Sequence, residues 1–198
     1  MIRVFAKLIV GILFLYLPLS CKSSKTTKNN DDIVVTYKPI IPEKTFLPVQ
    51  IEYAKILNTV PDSLQNVKLY QFIDEWKGTK YLLGGETKDG IDCSSFSQLL
   101  YMVVFEKYIE RTAHKQFESE YISKFRGKEF LEEGDLLFFN REGEQTISHV
   151  GVYLMNNKFV NATSYKGKSG IAGVKICDIT EPFWEKRYVA GGKRNDLQ

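Results

Sequence analysis

A cysteine, a histidine and an asparagine are placed along this chain so that they could do nucleophilic chemistry at a carbonyl. Cys93 stands in Gly90-Ile91-Asp92-Cys93-Ser94-Ser95-Phe96, shortly after the glycine-bearing stretch Tyr81-Leu82-Leu83-Gly84-Gly85. Asp92 is a good helix cap, which puts Cys93 and Ser94 in a first helical turn. A thiol there faces unpaired backbone amides and the positive end of a helix dipole. Both favour thiolate, so its pKa is expected to fall from about 8.5 by one to several units. The alternative is a small buried hydrophobe at a helix start.

A thiolate nucleophile needs an imidazole, and the chain has two histidines. His114 lies in the polar run RTAHKQ and reads as solvated. His149 opens the alternating run Ser148-His149-Val150-Gly151-Val152-Tyr153-Leu154. In a strand, His149, Gly151 and Tyr153 share one face and Val150, Val152 and Leu154 share the other, toward the core. The glycine leaves open space beside the imidazole. A third polar group would orient the ring through its other nitrogen. Asn161, in Lys158-Phe159-Val160-Asn161-Ala162-Thr163, fits if Met155-Asn156-Asn157 is a three-residue hairpin loop. Leu154 then pairs with Lys158, and His149 and Asn161 become diagonal neighbours about 7–8 Å apart. A two-residue loop would turn Asn161 to the opposite face.

These residues need helices followed by strands to hold them. Apolar residues recur at helical spacing over Val49–Val60 (Ile51, Ala54, Ile56, Leu57) and Leu64–Trp76 (Val67, Leu69, Phe72, Ile73, Trp76), with Gly78 ending the second. Cys93–Tyr108 reads as a third, largely buried helix, and 113–125 as a short helix or a loop. After Gly134 the period becomes that of strands: Asp135–Asn140, Ile147–Leu154, Lys158–Thr163, Val174–Ile179 and Arg187–Ala190. Helices first and antiparallel strands second make an α+β arrangement. Cys177 reads as a core thiol, and Phe138, Phe139, Phe183, Trp184 and Tyr188 as core aromatics rather than a sugar platform. Nothing in the sequence suggests a metal or a cofactor.

The 198 residues carry a formal charge of +3, which is unevenly distributed. Residues 1–20 contribute +2 and 21–45 another +2, while 46–198 hold 20 basic and 21 acidic side chains. The folded part is not basic, so nucleic acid is not an expected partner. Residues 1–20 have the make-up of a secretory signal, with Arg3, Lys7 and then the apolar run Leu8 to Leu19. A 12-residue run is short for a roughly 30 Å hydrocarbon core; the alternative is an uncleaved anchor. The stretch ending at Cys21 resembles the lipobox of bacterial lipoproteins, although Pro18 stands where an aliphatic residue is expected. The resemblance implies an acylated Cys21 and a chain held at a membrane, with the outer membrane facing the periplasm as the expected site. Polar residues 21–48 read as a tether and 49–198 as one folded domain.

The set YLLGG, GIDCSSF, GDLLFF, SHVGVY and FVNAT resembles the NlpC/P60 family of cell-wall cysteine peptidases, over about residues 64–192. The resemblance implies a papain-like α+β fold, with the nucleophile opening a helix that packs on an antiparallel sheet carrying the histidine. Cys93 would be nucleophile, His149 general base and then acid, and Asn161 the third polar member, where many relatives carry a second histidine. Tyr81 would lie near the substrate or the oxyanion, and Asp92 and Ser94 would help hold the substrate's polar end. Arg111-Thr112 and Gln116 look like a family segment that lines the cleft or forms a surface turn. The implied reaction is hydrolysis of an amide in peptidoglycan stem peptides, often between D-glutamate and a diamino acid, through a thioester. An amidase or acyltransferase using the same Cys–His pair, and a silent wall-binding lipoprotein, are the rival expectations.

Overall fold

The computed structural model describes residues 44–196. The expected signal sequence, Cys21 and most of the expected tether lie outside them, but Pro48, the last residue assigned to that tether, is already the first residue of a helix. This helix, α1 (Pro48–Ile56), buries Tyr53 and Ala54, and Leu57 just beyond it, leaving Ile51 on the solvent side. Helix α2 (Val67–Trp76) starts three residues later than its periodicity predicts, because Asn66 caps it by accepting the Leu69 N–H at 3.1 Å. Its apolar face of Leu69, Phe72, Ile73 and Trp76 is buried as expected. A tight hairpin, β1 (Glu86–Thr87) and β2 (Gly90–Ile91), was not legible in the sequence and delivers the chain to Asp92.

Helix α3 (Cys93–Leu100) carries buried residues all around its first turn. It continues as a π-helical turn over Tyr101–Phe105 and stops at Glu106, whose φ of 57° is left-handed. Residues 113–125 resolve into both alternatives and a strand: α4 (Ala113–Glu118) and the edge strand β3 (Ile122–Phe125). Strands β4 (Leu136–Asn140), β5 (Ile147–Tyr153), β6 (Lys158–Thr163), β7 (Gly173–Asp178) and β8 (Tyr188–Arg194), with the short helix α5 (Pro182–Glu185), complete the chain. They form a six-stranded antiparallel sheet in the order β3-β8-β4-β5-β6-β7.

Strand β8 runs four residues past the expected end at Ala190, through Gly191 and Gly192. Glycine there signals close packing rather than a turn. A Cβ on Gly191 would lie 2.5 Å from Phe125, and one on Gly192 2.6 Å from Phe138. Both faces of the sheet are covered. Leu136, Phe138, Val150, Val152 and Leu154 join the helices in the main core, while Leu137, Phe139, Tyr153, Phe159, Cys177 and Trp184 form a second apolar cluster on the other face. The alternation of β4 and β5 therefore separates two cores, not core from solvent.

Asp135 leads into β4 and is buried, its Oδ2 accepting the Glu132 N–H at 2.8 Å. Burial pushes its carboxyl up to about 6, against the Glu132 amide and the Lys193 charge. The folded form thus binds this proton more tightly than the unfolded form does. The penalty for ionising it is absent at low pH and develops as pH rises from the ordinary 3.8 through about 6. Asp135→Asn keeps the acceptor and removes the charge, so it is expected to stabilise the fold by about 1–3 kcal/mol at pH 7 and by little at pH 3. Urea melts at the two pH values check this; a variant less stable than wild type at pH 7 would contradict it.

Candidate active site

Cys93 is the first residue of α3, where the leading amides have no intrahelical partner. Asp92 caps that turn, accepting the Ser95 N–H at 2.8 Å and the Ser94 hydroxyl at 2.9 Å on Oδ1, and the Gly84 N–H at 3.1 Å on Oδ2. A cap of this kind contributes about 1 kcal/mol. Arg111 closes the cluster as a fork: Nη1 donates to Oδ1 at 3.2 Å and Nη2 to Oδ2 at 2.9 Å. Its Nη1 also reaches Ser94 Oγ at 3.1 Å and its Nε reaches Glu86 at 2.6 Å. Burial pushes the Asp92 carboxyl up, but Arg111, the Ser95 amide and the Ser94 hydroxyl more than offset it, holding it below the usual carboxylate range. Behind the helix, fully buried Gln116 donates to Ser94 O at 3.1 Å and Glu110 O at 2.7 Å. Of the segment in question, Arg111 and Thr112 line the cleft and Gln116 braces the helix from behind.

His149 sits on β5 beside a β-bulge. Phe139 pairs with His149 and Asn140 with Ile147, which leaves Ser148 as the extra residue. The hairpin after β5 has the three-residue loop that the site requires. Val152 pairs with Val160 and Tyr153 with Phe159, and the Leu154 N–H donates to Lys158 O at 2.9 Å. Asn156 and Asn157 take the left-handed conformation at the turn, with φ of 50° and 63°. His149 and Asn161 consequently meet, Nε2 to Oδ1, at 3.0 Å.

The Asn161 amide has its other end fixed by Lys175 O and Cys177 Sγ, each 3.4 Å from Nδ2. Those two groups are acceptors, so the amide oxygen turns to the ring. That makes His149 Nε2 the protonated nitrogen and leaves Nδ1 free to take a proton. Cys177, expected only as a core thiol, is buried and also braces this amide. Trp184 likewise has a second use: it is buried, and its ring stacks on the imidazole with centroids 5.1 Å apart and planes at 29°. The space beside Gly151 is not open; Phe159 fills it, 2.6 Å from where a Cβ would stand.

The electrostatics depart from the expectation for Cys93. The residue is only 6% exposed, and burial pushes its thiol up to about 11. The amides of Val150, Ser94 and Cys93 itself pull the other way without overcoming it, and the Asp92 charge adds to the rise. Burial also pushes the His149 imidazole down to about 4, against the Asn161 hydrogen bond and the Asp92 charge. The amides act in the expected direction, but the loss of water around sulfur outweighs them. Burial thus disfavours both the thiolate and the imidazolium, so the neutral thiol and the neutral imidazole are the favoured forms near pH 7.

Two adjoining cavities flank this arrangement and share Tyr81 and Ser148 in their walls. One, of about 490 Å³, is lined by Cys93, Asp92, Ser94 and Arg111. The other, of about 300 Å³, is lined by His149, Trp184 and Arg187. Tyr81 stands at their junction, bridged to Ile91. His114 is half exposed at the rim of the first and lies 3.3 Å from Glu118, away from the imidazole–amide pair. Among the described residues no group of His, Cys, Asp and Glu is arranged to hold a metal ion.

The family model for NlpC/P60 matches residues 78–193, from the end of α2 to the last strand. The chain belongs to the NlpC/P60 family. The murein DD-endopeptidase MepS/murein LD-carboxypeptidase of Escherichia coli (strain K12) is 41% identical over 114 residues, which is 58% of this chain and 55% of that protein. This chain therefore spans about half the length of that curated relative. An NlpC/P60 family protein from Bacillus cereus superposes with a TM-score of 0.55 at 22% identity, covering 65% of this chain and 40% of that one. The NlpC/p60 domain of the peptidoglycan hydrolase SagA gives 0.51 at 23% identity, over 66% of this chain and 99% of that domain. At these identities the structures establish the fold, which is papain-like α+β as the sequence implied. Within this NlpC/P60 domain, sequence reasoning left Arg111 undecided and missed Ser148 as a cleft residue. The bulge that exposes Ser148 depends on strand register, which the sequence shows only indirectly.

Proposed function

We propose that this NlpC/P60 domain hydrolyses an amide bond in peptidoglycan stem peptides through a thioester on Cys93. The observation that carries this is the 3.0 Å contact of His149 with Asn161, on a strand packed against the helix that Cys93 opens. The Cys93 thiol attacks the carbonyl carbon while its proton passes to His149 Nδ1. The oxyanion forms against the Cys93 N–H at the start of α3 and the Tyr81 hydroxyl; one such donor is worth about 3 kcal/mol. His149 then protonates the departing nitrogen, and the amine leaves. Water, giving its proton to His149, attacks the thioester and releases the acid and the free thiol. Asn161 holds the ring plane and the tautomer throughout.

Asp92 and Ser94 were expected to hold the substrate's polar end. Five hydrogen bonds already engage the Asp92 carboxylate, two of them from Arg111. On this reading Asp92 acts by fixing the loop, the helix start and Arg111, and Tyr81 and Ser94 remain at the substrate surface. The bond between D-glutamate and a diamino acid is the finer form of the proposal. Digestion of purified stem peptides followed by mass spectrometry tests it. Hydrolysis adds one water at that bond; transfer of the acyl group to another amine, or no change at all, would overturn it.

Protonating His149 removes the base, so kcat/KM should fall on the acid side near pH 4 and not near the ordinary imidazole value of 6.5. A pH–rate profile with its acid limb at 6.5 would contradict it.

The lipobox-like stretch supports the reading that Cys21 is acylated and tethers an exported protein to a membrane, with the outer membrane facing the periplasm as the proposed site. Several acyl chains, at about 0.8 kcal/mol per buried methylene, hold firmly. Labelling with a clickable palmitate analogue should mark the wild type and not Cys21→Ala; equal labelling would refute it.

A further inference from the structure

The histidine-side cavity has a composition that the proposed bond cleavage does not itself use. Arg141 and Arg187 line it, and among the described residues no aspartate or glutamate does. Neutral polar side chains such as Asn140 and Thr163 share the rest of its wall with aromatic rings. Tyr165 and Phe183 stack with centroids 3.7 Å apart, and Trp184 lies edge-on to both. Arg187 is held in place: its Nη1 donates to Phe183 O at 2.9 Å, and its guanidinium carbon sits 4.0 Å from the Phe183 ring centroid. Its Nη2 is 3.3 Å from Glu142, and Arg141 is 3.8 Å from Glu144; both acids are more than half exposed, so these pairs are weak and exchangeable. By contrast, Arg111 on the cysteine side is already paired with Asp92 and Glu86.

We infer that this cavity receives the amine component of the cleaved bond, and that Arg141 and Arg187 select an amine component carrying a free carboxylate. The inference rests on the amide-cleaving reading of Cys93 and His149. His149 must protonate the departing nitrogen, so that nitrogen lies on the imidazole's side of the cleft, where His149 and not Cys93 forms the wall. The methylenes of an amino acid then lie on Trp184 and Phe183 while its carboxylate meets the guanidinium groups. A second amino group, as in a diamino acid, would face Glu142 and Glu144 at the rim.

Two substrates test this, identical except that the amine component is lysine in one and lysinamide in the other. Wild type should prefer the carboxylate form in kcat/KM by about ten- to a hundredfold, the worth of one charge-assisted hydrogen bond. Arg141→Gln should lower that ratio, and adding Arg187→Gln should bring it near one. Arg141 is 76% exposed, so its replacement leaves the fold intact even if Arg187 proves structural. Equal cleavage of both substrates by wild type, or an unchanged ratio in the double variant, would overturn the inference. A titration of full-chain Cys93→Ala by NMR with free lysine and lysinamide separates the two layers. Lysine-selective shifts around Trp184 in the variant, with no cleavage of either substrate by wild type, would support the subsite and sink the amide-cleaving reading. Cleavage with no such selectivity would do the reverse.

Discussion

Replacing Cys93 by alanine is expected to end cleavage of peptidoglycan while leaving the fold in place. The change removes one sulfur from a helix start whose geometry is held by other groups: the Asp92 cap, the Arg111 fork and the Gln116 brace. The melting temperature should therefore move little. Activity should fall by about 10⁴-fold or more, because without the nucleophile only binding and the oxyanion donors remain. Cys93→Ser is the sharper variant. It keeps shape and hydrogen bonding, but its hydroxyl is far harder to deprotonate by an imidazole whose own pKa is held near 4. Release of fragments counted by chromatography, with circular dichroism as the fold control, would show both effects. Substantial residual cleavage by folded Cys93→Ala would contradict the assignment.

Arg111→Met is expected to have the largest effect on stability, although Arg111 takes no part in bond making. Asp92 is 5% exposed, and the substitution leaves its carboxylate buried with three donors and no counter-charge. Breaking a buried pair from one side costs about 3–5 kcal/mol; Arg111 is a third exposed, so about 2–4 kcal/mol is the discounted figure. The pH dependence has a definite sign. In the wild type the folded pKa of Asp92 is depressed, so its contribution is present above the ordinary carboxylate value of 3.8 and lost as pH falls below it. In the variant only the burial and three neutral donors remain, so protonation relieves the penalty. The stability gap should be widest near pH 7 and shrink toward pH 4. Denaturant melts at both values check this; a constant gap would mean that charge is not the cause. Because Asp92 also caps α3, the same variant should position Cys93 less well and lower kcat.

The parts of the fold that were legible in the sequence are those fixed by short-range rules. The capping acid before Cys93, the alternation of β5 and the loop of Met155-Asn156-Asn157 were enough to set the register that joins His149 to Asn161. What was not legible depends on contacts between distant segments. The last strand was expected to end at Ala190 because the rings of Phe125 and Phe138 that require Gly191 and Gly192 lie far away in sequence. The second core beyond the sheet was hidden because Trp184 and Cys177 come from later elements. For the same reason the site's braces went unseen: Cys177 behind Asn161, Trp184 on the imidazole and Arg111 under Asp92. The thiol's pKa failed as a sequence argument on a single omission. Helix amides are visible from spacing, whereas exclusion of water is a property of the packed molecule.

The central claim is that the cleaved bond passes through sulfur 93, and trapping that intermediate tests it most directly. The full chain would be mixed with a stem-peptide substrate, quenched in acid during turnover, digested and mapped by mass spectrometry. The account predicts that a fraction of the Cys93 peptide gains the mass of the acyl fragment and that hydroxylamine removes it, with the Cys177 peptide unmodified. Turnover that continues at full rate after every Cys93 has been carbamidomethylated, with no acyl adduct on that peptide, would contradict it.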